Sequence, residues 1–185
     1  MLDILTSLIQ QYGNEAVVNN PTIPNENNEA VLQETGLALF SNLQKLATQT
    51  DLTQIAELIQ SNNFSKTNPT IDSINQSVGE SLSSKFGLSQ SVASGAVSAM
   101  LPQILGSLFG KAKDPNDSSF NISDLLSSLT GGNTTQNSGI LEAISKYGVQ
   151  FGLDQNHDGK VNLDDAKELT NKGGISDILK NILGE

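Results

Sequence analysis

Ile71-Asp72-Ser73-Ile74-Asn75-Gln76-Ser77-Val78-Gly79-Glu80-Ser81-Leu82-Ser83-Ser84-Lys85-Phe86-Gly87 is the stretch that decides the fold class. Ile71, Ile74, Val78, Leu82 and Phe86 recur every three or four residues, which places them on one face of an α-helix. Nothing here alternates with the period of two that a half-buried strand needs. Gly87 then ends the pattern as a C′ glycine, because the left-handed backbone required there carries no steric penalty without a Cβ.

Outward from this helix the same period recurs, so the spacing predicts an all-α protein, a small helical bundle. Upstream, Leu2, Leu5, Leu8 and Ile9 stripe a short first helix. A polar break at Asn19, Asn20, Pro21 and residues 24–28 follows. A long helix is expected from about Asn28 to Thr48, with Val31, Leu32, Leu39, Leu43 and Leu46 for its inner face. Asp51 can cap a shorter one in which Leu52, Ile55, Leu58 and Ile59 face one way. Residues 62–70 form a second polar break. Downstream, Ser89 caps a helix running to Gly110, within which Pro102 removes a backbone bond and either kinks the helix or begins a new segment. Gly106 and Gly110, four apart, permit close packing.

Two parts of the chain read as copies. Asn20-Pro21-Thr22-Ile23 recurs as Asn68-Pro69-Thr70-Ile71. Each is followed by a long helix rich in Ala, Leu and Gly and later by a short capped one, at 51–60 and 121–129. The expected organisation is a helical body over 1–130, internally duplicated as 20–62 and 68–130. A Gly/Asn/Thr/Ser linker at 131–138 and a C-terminal module at 139–185 complete it.

Composition removes several functions. There is no cysteine and one histidine, so thiolate zinc sites, disulfides and cysteine catalysis are excluded. Twenty acidic against ten basic residues give a formal net charge of -10, which opposes a phosphate backbone; no nucleic acid is expected. Met1 to Tyr12 has no Lys or Arg ahead of its apolar residues and carries Asp3 among them, unlike a secretory signal, so a cytoplasmic location is expected. Residues 86–110 carry no charge, a stretch long enough for the ~20 residues of a membrane span. Seven Ser and Gln residues and Pro102 interrupt them, so a buried core helix is expected and membrane insertion is the alternative.

The C-terminal module contains the one clear chemical motif. Asp154-Gln155-Asn156-His157-Asp158-Gly159-Lys160-Val161-Asn162-Leu163-Asp164-Asp165 has the layout of an EF-hand loop. A hard cation takes six to eight oxygens, and this turn supplies them at positions 1, 3, 5, 7, 9 and 12. The candidate metal ligands are Asp154, Asn156, Asp158, the Lys160 carbonyl, Asn162 and Asp165. Gly159 stands at position 6, where the chain turns sharply. Asp at position 12, in place of the longer Glu, weakens calcium binding and favours Mg2+ as a competitor for Ca2+. The loop resembles one half of a dockerin repeat, in which Asp at position 12 is normal. Dockerins carry two such loops and one is found here, so cohesin recognition is not carried over. His157, at position 4, is expected to face solvent. After the loop, Ile175, Ile178, Leu179, Ile182 and Leu183 stripe a final amphipathic helix.

Ser73 to Ser127 resembles the YidB-like family of bacterial proteins, whose domain has no assigned function. The likeness rests on Lys85-Phe86-Gly87-Leu88-Ser89, the Ala-rich run from Ala93 to Ala99, and Met100-Leu101-Pro102-Gln103-Ile104-Leu105-Gly106. Residues 38–46 would be the counterpart in the first copy, without the proline. The resemblance implies a small, homeodomain-like helical bundle and supplies no catalytic residue. The expectation is therefore a non-enzymatic calcium-binding protein, working through a protein partner or self-association.

Overall fold

The computed structural model describes residues 1–49, 53–113 and 122–131, together with Phe120 and Val149. These residues form six α-helices, and no strand occurs among them: α1 Leu2–Gly13, α2 Asn28–Gln49, α3 Thr53–Ser61, α4 Pro69–Phe86, α5 Gln90–Lys113 and α6 Ile122–Thr130. The chain divides into two compact units. One comprises Met1–Lys45 with Asn62–Gly110; the other comprises Leu46–Ser61 with the chain from Lys111 onward. Two of the three divisions fall inside α2 and α5, and the third at the end of α3.

In the first unit α1, α2, α4 and α5 make a closed ring of contacts. Gly13 of α1 lies directly against the Leu32 side chain of α2, in the space a Cβ would need. The Glu34 carboxylate of α2 bonds to Ser81 and Lys85 of α4. Gly79 of α4 sits against the backbone of Ser94 on α5. Tyr12 Oη of α1 and Ser107 Oγ of α5, 2.9 Å apart, close the ring. Leu5, Leu8, Ile9, Val31, Leu39, Leu43, Ile71, Ile74, Val78, Leu82, Met100, Ile104, Leu105 and Phe109 are buried within this unit. Burying each large apolar side chain contributes roughly 1.5–3 kcal/mol. Phe64, from the segment before α4, stacks on Phe109 with ring centroids 5.5 Å apart.

The helix ends follow local chemistry. Asn68 caps α4 by accepting a hydrogen bond from Thr70 N at 3.0 Å, with Pro69 in the first turn, where its missing N–H costs nothing. Gly87 ends α4 at φ 65°, as the sequence predicts. Ser89 caps α5, its Oγ accepting from Val92 N at 3.3 Å. The sequence misses a short π-helical turn at Asn14–Val18 after α1 and a 3₁₀ turn at Asn25–Asn27 before α2.

Three further expectations are modified. The helix continues through Pro102 to Lys113 and begins no new segment there. Pro102 and Ser98, whose carbonyl loses its donor, are both only half buried. Gly106 meets the Phe64 ring, 3.6 Å from where a Cβ would stand, and Gly110 faces open space. The close helix approach belongs to Gly79 instead. Leu2, expected on the inner stripe of α1, is 42% exposed, because the helix begins at that residue.

The Asn-Pro-Thr likeness that suggested duplication also has a local cause. Asn20 Oδ1 accepts from Thr22 N at 3.1 Å and Asn68 Oδ1 accepts from Thr70 N at 3.0 Å. A third such turn is made by Asn63 and Ser65. All are Asx turns, which any Asn placed ahead of a turning chain can form.

In the second unit, Ile55, Leu58 and Ile59 of α3 are buried on one face, as their spacing predicts. Lys113 Nζ donates to the Ile59 carbonyl at 3.1 Å, placing a cation on the last turn of α3, where carbonyls lack partners. Phe120 and Leu125 and Leu129 of α6 are buried, and Gly131 ends α6 at φ 69°. Asp51, the expected cap of α3, lies outside the described residues.

Candidate functional site

The calcium loop predicted from sequence, with its ligands Asp154, Asn156, Asp158, Lys160, Asn162 and Asp165, lies outside the described residues, as do His157 and the final amphipathic stripe. Among the described residues no group of three His, Cys, Asp or Glu side chains is placed to hold a metal ion.

The structure does assemble one polar cluster that the sequence pattern conceals. Glu34 follows Val31 by three residues on α2, so the helical period carries it inward. Its side chain is 11% exposed, against 57% for Lys85. From α4, Ser81 Oγ donates to Glu34 Oε1 at 2.6 Å and Lys85 Nζ donates to Oε2 at 2.6 Å. Ser81 and Lys85 are one turn apart, which presents both donors to a single carboxylate. Burial pushes the Glu34 carboxyl upward, but the hydrogen bonds from Lys85 and Ser81 and the Lys85 charge outweigh it and hold it below its ordinary value.

These residues form one end of an open groove of about 240 Å³ between α2 and α4, lined also by Leu37, Ala38, Ser41, Asn42, Lys45 and Ser77. Ala38, Ser41 and Ser77 are small, which leaves the space between the helices unfilled. Leu37 is 57% exposed at its edge. Serine, carboxylate and lysine together invite a catalytic reading, but the proton arrangement opposes it. Ser81 gives its hydrogen to Glu34, both Glu34 oxygens are occupied, and Lys85 is ion-paired and charged. A carboxylate held below its ordinary value by Lys85 is a poor base for a serine hydroxyl, whose proton needs a more basic acceptor. The cluster joins two helices.

Asn75 is the other polar residue that the apolar pattern of α4 conceals. It is 2% exposed, and its Oδ1 meets no donor among the described residues. Thr35, also 2% exposed, is satisfied within α2, donating to the Val31 carbonyl at 2.7 Å.

No family model matches the chain, and no curated protein or solved structure proves similar to it.

Proposed function

We propose that this is a calcium-binding helical protein that acts by binding and not by catalysis. Its ion site is the loop from Asp154 to Asp165. The observation that carries the reading is the placement of six oxygen donors at positions 1, 3, 5, 7, 9 and 12 around Gly159. Bringing Asp154, Asp158 and Asp165 together without a cation is electrostatically unfavourable, so the ion orders the loop and the helix-forming segments on both sides of it. The apolar stripe of Ile175, Ile178, Leu179, Ile182 and Leu183 is then available to a protein partner or a second copy. In this reading Ca2+ is the ligand and Mg2+ competes, because Asp165 is shorter than the usual Glu. The likeness to YidB-like proteins rests on the junction between α4 and α5 and on residues 93–106 of α5. It contributes a helical scaffold to the proposal and no chemistry.

Thermal melting of the full chain with calcium and with chelator tests this. Saturating calcium at a hundredfold excess over Kd raises stability by about 2.7 kcal/mol if only the folded loop binds it. Identical melting in the two conditions, together with no heat of binding, removes the reading.

A second reading is favoured by α5. It is 24 residues long, with a mean hydropathy of 1.4 over its most apolar window, and is long and apolar enough to cross a membrane. Half of that window is buried inside the protein, including Ala93, Val97, Leu101 and Ile104, so insertion would require the helix to leave its neighbours. In this alternative the chain is membrane-associated and calcium modulates lipid contact. Flotation with liposomes, with and without calcium, separates the two: recovery in the soluble fraction under both conditions eliminates it.

A further inference from the structure

We propose that Glu34, Ser81 and Lys85 form an acid-released latch between α2 and α4, which frees Lys85 into the adjoining groove when Glu34 takes up a proton. Three observations carry it. Glu34 is the most buried charged side chain among the described residues, and it points across the seam between two helices. Both its partners come from the opposite helix, 47 and 51 residues away in the chain. All three also line the groove, so a change in their bonding alters the groove itself.

The latch is asymmetric. Lys85 is more than half exposed and remains well solvated when it is released. Glu34 is not, and its carboxylate tolerates burial only because a cation and a hydroxyl answer its two oxygens. From α4 the groups lining the groove beside Glu34 are Ser77, Ser81 and Lys85; from α2 the other charged one is Lys45. Among the described residues no second acid lines the groove to take over the bond to Lys85. With Glu34 neutral, Ser81 still finds an acceptor, but Lys85 loses its ion pair. The sign follows from the depressed carboxyl. The latch is closed above the ordinary carboxylate range and opens as pH falls through the lower folded value.

Carbon-detected NMR titration of the Glu34 carboxyl in the full chain tests this, with the Ser81 and Lys85 amides followed in parallel. In the unaltered chain the Glu34 midpoint falls below that of an exposed Glu, and the two α4 amides shift with the same midpoint. In Lys85→Met burial is unopposed by charge, and the midpoint rises by about one unit or more, a tenfold change in proton affinity. Ser81→Ala moves it upward by less. An unchanged midpoint in Lys85→Met, or α4 amides that titrate independently of Glu34, overturns the latch. Should Lys85→Met fail to fold, the unaltered chain decides by the coincidence of the three midpoints.

Discussion

A methyl group added to Gly79 tests the packing of α4 on α5 most sharply. A Cβ there would stand 3.1 Å from both the Cα and the Cβ of Ser94 and 3.2 Å from its backbone nitrogen. Two of these three atoms belong to the main chain of α5, so no side-chain rotation relieves the contact and one helix must shift. Overpacking of this kind costs about 1–3 kcal/mol. Against that, Ala in place of Gly in a helix interior gains about 0.8–1 kcal/mol. Gly79→Ala is thus expected to be neutral to destabilising by about 2 kcal/mol. Gly95, in α5, is the control, because it faces open space with nothing within 4 Å. Gly95→Ala collects the helix gain alone, about 1 kcal/mol of stabilisation. The two variants therefore differ by about 1–3 kcal/mol. Urea unfolding followed by circular dichroism measures both, provided that the denaturant slope is unchanged. A Gly79→Ala protein as stable as Gly95→Ala would refute the close approach of the helices.

Asn68→Ala removes the acceptor for Thr70 N and is expected to cost about 0.5–2 kcal/mol, read from the same unfolding curves. Asn68→Asp, which keeps the acceptor and adds a favourable charge at the helix start, restores most of that loss. In the proposed ion loop, Asp165→Glu lengthens the position-12 carboxylate, and both its oxygens are expected to reach the ion. Calcium affinity is expected to rise and selectivity over magnesium with it; competition calorimetry in magnesium reads both.

Helix identity was legible because it rests on local spacing. The three-and-four step of Ile71, Ile74, Val78 and Leu82, the stop at Gly87 and the cap at Ser89 appear in the structure as the residues imply. Contacts between helices are different in kind. Nothing adjacent to Gly79 or Glu34 in sequence says that Ser94 or Lys85 will meet them, since the partners lie 15 and 51 residues away. Glycine spacing pointed to Gly106 and Gly110, but spacing gives a face and not the neighbour that covers it. Glu34 was hidden because a lone charge three residues from Val31 reads as an exposed position until a cation supplied by another helix makes its burial tolerable. The candidate ion site shows the opposite balance. Six oxygen-bearing residues at fixed spacing within residues 154–165 are a local pattern, so the sequence alone is enough to propose them as ligands. What they order, and for which partner, depends on contacts that spacing does not encode.

Calcium titration of the full chain by isothermal calorimetry, beside Asp158→Ala, is the most direct test of the ion site. One calcium per chain is expected in the unaltered protein, competed by magnesium and lost in the variant. Equal heats from both proteins, or none from either, would contradict it.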